Sequence, residues 1–327
     1  MMPVKEHTDG AKNRNASGSV PPMMFVRRFR HLTGGHLKVF DYFNHVAACG
    51  LFRPTIYFTP DSVLDDSNPW SAAGSPRADI RAPAAAYFVA GMDWELYDKA
   101  GVDLGRHPVV NLVQHVRHAR EGDPRNAFLS RPALRICVSR EIAEAIRATG
   151  RANGEIAIVE NGIDLAFVGG FAATTRANDV FVAGLKNPEV ARALAEKLAR
   201  RGLKVDLADK WIPRRDFLLR MARARVALLL PNKTDGFYLP AVEAMATETA
   251  VVVPDCIGNR SFCIDGVTCV MPDYTVEVLA AAAADLAADP ARIAGLVAAG
   301  KEEAARHAID RERREVQALL ETLAGGA

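Results

Sequence analysis

Residues 228–246 read LLLPNKTDGFYLPAVEAMA, and the order of residue types in this stretch decides how the rest of the chain is read. A short apolar run gives way to a polar stretch containing glycine, then to a helix-forming string headed by Pro240, which together make a strand, a loop and a helix. The backbone N–H groups of Phe237, Tyr238 and Leu239 are expected at the helix start, where unbonded donors and the dipole make an anion site. Glu243 is expected in the first helical turn, where the dipole favours a carboxylate. There it could accept hydrogen bonds from both hydroxyls of a ribose. Asp235, eight positions earlier on the loop, is placed to meet a sugar hydroxyl on the far side of the phosphates. Two carboxylates with amides between them describe a receptacle for sugar, diphosphate and ribose.

Outward from this stretch, strand and helix signals alternate along the chain. The first half offers short apolar runs at residues 23–29, 55–58, 86–90, 109–113, 134–138 and 156–159. After the first run, Thr33-Gly34-Gly35 makes a turn into a helix with Leu37, Phe40, Phe43 and Ala47 on one face. Ser139 is placed to cap a helix over residues 140–149, with Gly150 as its stop. Around residues 161–178 small polar residues and glycines interrupt the pattern, as a linker does. It then restarts with strands at 180–183, 203–207, 226–230, 250–253 and 267–271, and helices at 188–201, 214–224 and 240–246. The last fifty residues are helical. Such alternation predicts an α/β protein with largely parallel sheets.

Composition narrows the function classes. The chain has 327 residues, 49% hydrophobic and 24% charged, which is enough for two cores. A net charge of +2 gives no basic face for nucleic acid. The five cysteines form no CxxC pair, which favours reduced thiols, a cytoplasmic location and no zinc ribbon. Residues 1–22 are polar and read as a flexible arm, without a signal-peptide core. No strand is followed by GxGxxG with an acidic residue about twenty positions on, which disfavours a dehydrogenase.

The segment Asp235-Gly-Phe-Tyr-Leu-Pro-Ala-Val-Glu243 resembles the E-x7-E signature of retaining glycosyltransferases of the GT-B fold, family 4 in particular. Glu160-Asn161-Gly162-Ile163-Asp164 looks like the family's NGVD, Ser139-Arg140 like the opening of the preceding helix, and Gly34-Gly35-His36 like its first glycine-rich turn. The resemblance covers most of residues 23–285. It implies two Rossmann-like parallel-sheet domains facing each other across a cleft: an acceptor-binding domain over 23–170 and a nucleotide-sugar-binding domain over 171–290. Helices over 291–327 are free to cross back to the first domain. Two departures stand out: Asp235 replaces glutamate, and Tyr238 replaces the usual glycine.

The implied activity is transfer of a hexose-type sugar from a UDP-, GDP- or other nucleoside-diphosphate sugar to an acceptor hydroxyl, with retention of configuration and without metal or cofactor. Asp235, His115 and Lys186 are the candidate catalytic residues. Gly184 and Lys186 look like the family's phosphate-binding G-R and downstream lysine, although Leu185 stands where arginine is typical; Lys233 competes for that role. Trp211 is a candidate to cover the base. Donor contacts otherwise fall to Asp235, Gly236, Phe237, Tyr238, Leu239 and Glu243. Acceptor contacts fall to Gly34, Gly35, His36, Gln114 and His118, with Arg27, Arg28 and Arg30 as a weaker anionic patch.

The acceptor could be a saccharide, a lipid-linked sugar or a small molecule. Nucleic acid is not expected as a partner, and both peripheral membrane contact and a homodimer stay open. The rival readings are a non-catalytic nucleotide-sugar-binding subunit of the same fold and a GT-B-type epimerase.

Overall fold

The computed structural model describes residues 20–325, so all but the last three residues of the expected arm lie outside the described residues. The chain divides into two compact units, a first made of Met1–Asn111 with Val316–Ala327 and a second of Leu112–Glu315. The first holds β1 (Pro22–Arg27), α1 (Gly34–Cys49), β2 (Arg53–Phe58), the single turn α2 (Pro69–Ala72), β3 (Ala86–Ala90) and α3 (Asp93–Ala100). Strand β4 (Val109–Val113) straddles the boundary.

The second unit continues with α4 (Pro124–Ala127), β5 (Leu134–Cys137), α5 (Arg140–Ala148), β6 (Ile156–Ile158) and α6 (Leu165–Gly169). Next come β7 (Asn178–Ala183), α7 (Pro188–Arg200), β8 (Val205–Ala208), α8 (Arg214–Ala222), β9 (Ala224–Leu229), α9 (Leu239–Ala246) and β10 (Ala250–Val252). Three helices close the chain: α10 (Val276–Ala287), α11 (Pro290–Arg306) and α12 (Ile309–Gly325).

The strands form two sheets, ordered β2-β1-β3-β4-β5-β6 and β10-β9-β7-β8. Pairing is parallel, with registers such as Phe25 opposite Ile56 and Val182 opposite both Leu207 and Leu228. Parallel strands need crossovers, and the intervening helices provide them. The second sheet shows why its strands read as unbroken apolar runs. Val180, Val182, Val226, Leu228 and Val252 pack into a core on one face. Their neighbours Phe181, Ala183, Ala227, Leu229 and Val251 pack into a second core on the other, so both faces are covered.

Capping residues do what their types suggest. The Thr33 hydroxyl accepts from the His36 amide at 3.3 Å and Ser139 from the Ile142 amide at 3.3 Å, while Gly150 adopts φ +62 just after α5.

Two expectations are corrected. The buried face of α1 is Val39, Tyr42, Phe43 and Val46, with Ala47 exposed; Tyr42 and Phe43 turn the stripe toward the Phe25–Phe88 ring stack. Residues 267–271 form isolated bridges only, at Val270 and Cys269: the Val270 amide donates to the Val251 carbonyl at 2.9 Å and its carbonyl accepts from the Val253 amide at 3.0 Å, and the pairing with β10 extends no further. Thr268 Oγ1 donates to the Phe262 carbonyl at 2.7 Å and accepts from the Ile264 amide at 2.8 Å.

Arg135 and Glu312 are charged residues that lie wholly inside the second unit. Arg135, in the middle of β5, is fully buried, and its guanidinium faces carbonyl oxygens. Nη2 donates to Phe128, Leu129 and Arg131 at 3.1, 2.7 and 2.6 Å, and Nη1 to Ala133 and Asn153 at 3.2 and 2.5 Å. It gathers the stretch over residues 128–133 onto Asn153, adding a charged donor to carbonyls of which those of Phe128, Leu129 and Asn153 also accept a backbone N–H. No helix of the described residues is long and apolar enough to cross a membrane.

Candidate active site

The loop from β9 to α9 is held in a fixed shape before any ligand is considered. The Asp235 amide donates to the Asn232 carbonyl at 3.0 Å, and Asp235 Oδ2 accepts from the Asn232 amide at 3.0 Å. Gly236 has no room for a side chain: a Cβ there would lie 2.3 Å from the Gln114 carbonyl oxygen and 2.5 Å from Ile142 Cδ1. Gly258 covers the same loop from another side, since its Cβ would fall 2.4 Å from the Phe237 nitrogen. The glycines are therefore needed for close backbone approach.

Lys186 reaches this loop from the turn after β7. Gly184 makes that turn possible, because a Cβ on it would stand 2.0 Å from Ala191 Cβ at the start of α7. Lys186 Nζ bonds Asp235 Oδ2 at 2.6 Å and sits 5.4 Å from the centre of the Tyr238 ring. The ammonium is half-exposed, whereas the carboxylate is mostly covered. Tyr238 itself is buried, and burial with the nearby Asp235 charge pushes its phenol well above the ordinary tyrosine range. Beside them, Asn187 Nδ2 donates to the Tyr274 hydroxyl at 2.9 Å; burial and Asp235 push the Tyr274 phenol up to about 12. Leu185 points outward and Lys233 is exposed.

His115 joins the same cluster, pairing through an isolated bridge with Asp235. Its Nδ1 accepts from the Arg117 amide at 3.1 Å, so Nδ1 carries no proton. Burial, with the Arg117 charge second, lowers its pKa from 6.5 to about 4, so the ring is neutral at pH 7. The one proton must then reside on Nε2, which donates to Thr234 Oγ1 at 3.3 Å. His115 is thus a hydrogen-bond donor whose lone pair is already engaged, and it is not placed to act as a general base.

Ring NMR should show the Nε2–H tautomer at pH 7 and titration near 4; titration near 6.5 would remove this assignment. The linked stability has a definite sign. Between 6.5 and about 4 the unfolded chain binds more protons than the folded one, so this contribution is full above 6.5 and is lost as pH falls toward 4.

Glu243 differs from expectation in its surroundings. Helix α9 starts at Leu239, which puts Glu243 beyond the first turn, so the helix terminus contributes little there. Its partner is Arg214, the first residue of α8, whose Nη2 donates to Oε1 at 2.6 Å. Two of the three amides expected to face an anion are engaged: Tyr238 N–H donates to the Gly258 carbonyl at 2.8 Å and Leu239 N–H to the Phe237 carbonyl at 3.2 Å. Phe237 packs its ring against Phe262 and His307, at 4.9 and 5.5 Å between centroids. Lys186 and Arg214 supply positive charge near this loop and helix. Trp211 is 48% exposed on the loop before α8, so it is not a core residue.

The other expected residues divide. Gln114 abuts Gly236 through its backbone. His118 is buried, not solvated: the short 3-10 turn over Val116–Ala119 carries it inward, where burial, then Arg125, lowers its pKa to about 3. Its ring is not presented to an acceptor. Gly34, Gly35 and His36 lie in the first unit, at the start of α1, with the His36 ring tilted against Phe29 at 5.2 Å and its pKa lowered to about 4 by burial and Arg27. The arginine patch is dismantled: Arg27 is buried on Asp93, while Arg28 and Arg30 both bond Asp61. Sequence reading missed Arg214, Thr234, Asn187 and Tyr274, whose partners lie far away along the chain.

Two sheets of parallel strands, joined by helices and carrying this loop, make a GT-B fold, the fold of several solved glycosyltransferases. Anabaena HepE in complex with UDP superposes with a TM-score of 0.71 at 15% identity, covering 92% of this chain and 100% of that one. Sucrose-phosphate synthase from Thermosynechococcus elongatus gives 0.69 at 13%, covering 94% and 100%. An α,α-trehalose-phosphate synthase (UDP-forming) from Burkholderia vietnamiensis gives 0.66 at 12%, with the same coverage. No curated protein matches by sequence. Residues 163–289, the part of the chain that carries Lys186, Asp235 and Glu243, match the family model for glycosyl transferases group 1.

Proposed function

We propose that the protein transfers a sugar from a nucleoside-diphosphate sugar to an acceptor hydroxyl with retention of configuration and without a metal ion. The observation that carries this reading is the cluster of Lys186, Asp235 and His115 within hydrogen-bonding reach of one loop of the group 1 domain. UDP is the favoured nucleotide, since similar structures are described as UDP complexes or as UDP-forming.

In this reading Lys186 leaves Asp235 for the diphosphate and stabilises the charge that develops as the bond from C1 to the phosphate oxygen breaks. Asp235, released, accepts a sugar hydroxyl, and His115 Nε2–H turns from Thr234 Oγ1 to donate to another. The acceptor oxygen bonds C1 on the face the diphosphate leaves, and its proton passes to the departing phosphate oxygen. No protein base is needed, which agrees with the engaged lone pair of His115. Glu243 anchors the ribose through Oε2, which has no hydrogen-bond partner among the described residues.

Calorimetry with UDP, UDP-glucose and GDP-mannose, followed by a transfer assay over an acceptor panel, tests the proposal. Glu243→Ala is expected to weaken UDP binding about tenfold to a hundredfold, the range for a hydrogen bond to a charged group. EDTA is expected to leave transfer unchanged. Binding without turnover on every acceptor would favour the non-catalytic subunit, and loss of activity in EDTA would overturn the metal-free mechanism.

A further inference from the structure

Arg214 occupies a position its own helix does not favour. It is the first residue of α8, where a cation faces the positive end of the dipole, and the preceding Pro213 supplies no side-chain cap. Three features hold it there. Its Nη2 bonds Glu243 Oε1 at 2.6 Å, and both side chains are largely covered, at 22% and 7% exposure. Its guanidinium lies 5.2 Å from the centre of the Phe167 ring. That ring is placed in turn by Asp164, whose Oδ1 accepts from the Phe167 amide at 2.9 Å. The buried Nε has no acceptor among the described residues, so the guanidinium is not placed for maximal hydrogen bonding of its own. A planar group pinned on a ring fixes the direction of the one carboxylate oxygen it touches. The other oxygen, Oε2, is left turned to a fixed direction without a partner.

We infer that Arg214 is a positioning residue that aims Glu243 at the ribose diol and so makes this chain discriminate ribonucleotides from deoxyribonucleotides. The inference rests on the reading of Glu243 as the ribose anchor.

Affinities for UDP, 2′-deoxy-UDP and 3′-deoxy-UDP, measured by calorimetry on the full chain, test it with Arg214→Met, Arg214→Lys and Glu243→Gln. The parent protein is expected to prefer UDP over at least one deoxy analogue by about tenfold or more. Arg214→Met is expected to reduce that preference to about threefold or less, mainly by weakening UDP. Arg214→Lys keeps the charge without the planar fork and is expected to fall between the two. Should Arg214→Met unfold the protein, the lysine variant alone decides.

Loss of preference in Glu243→Gln together with full preference in the Arg214 variants would overturn the positioning role and leave the ribose reading standing. Equal weakening of all three nucleotides by the Arg214 variants would also overturn it, since that places the residue on another part of the ligand. No preference in the parent protein, or preference untouched in Glu243→Gln, would remove the ribose reading and this inference with it.

Discussion

Asp235→Asn is expected to lower turnover in sugar transfer by about 10²–10³-fold, the size seen when one positioned hydrogen-bonding group is removed from a transition state. Asparagine is the informative replacement because the loop uses this side chain twice. The Asn232 amide needs an acceptor, which the carboxamide oxygen still provides, so the turn keeps its shape. The Lys186 ammonium needs a negative partner, which the carboxamide does not provide. UDP affinity should then hold or tighten, because Lys186 no longer has to leave a competing carboxylate to meet the diphosphate. Single-turnover kinetics with UDP titrations separate the two effects. A collapse of UDP affinity with unchanged turnover would move Asp235 from the sugar to the nucleotide.

Arg135→Met is expected to cost on the order of 3–5 kcal/mol, with the denaturation midpoint falling by roughly 2–4 °C per kcal/mol. Five carbonyl oxygens lose a charged donor; those of Phe128, Leu129 and Asn153 keep a backbone N–H, and each of the others left unsatisfied costs about 1–3 kcal/mol before relaxation. Arg135→Lys retains the charge but offers a point donor to a ring of acceptors, so an intermediate loss is expected. Thermal denaturation with UDP binding on the folded variants gives the check. A midpoint within two degrees of the parent would mean that the carbonyls find other partners.

Legibility in the sequence followed physical range. Strands β3 and β4 coincide with the apolar runs read for them because they are covered on both faces, so that each residue carries the signal. The run at residues 267–271 carries the same signal and misleads, because only Val270 pairs with β10 while the Thr268 hydroxyl turns to the Phe262 and Ile264 backbone, and a hydroxyl in an apolar run looks no different from a strand threonine. The loop with Asp235 was readable from residue types and spacing, and the turn with Gly184 from the family resemblance.

Glu243's partner was not, since Arg214 lies 29 residues away, and neither was the bond between His115 and Thr234, which are 119 residues apart. A charged residue in an apolar strand, as at Arg135, gives no hint of carbonyl partners until the irregular stretch around it is folded. Local chemistry set the outline, whereas the groups that orient the chemistry are brought in by the fold.

The membership of α12 sets a timetable for synthesis. Its residues from Val316 onward belong to the unit that otherwise ends at Asn111, and Glu321 is close enough to act on the Cys49 thiol. At ordinary elongation rates the ribosome needs roughly ten to forty seconds to pass from one to the other. During that interval the first unit waits with an uncovered surface while the second is completed. The nascent chain is therefore most exposed to chaperones and to aggregation in its oldest part, and a ribosome-bound chain stalled before residue 316 should be cut by protease there first.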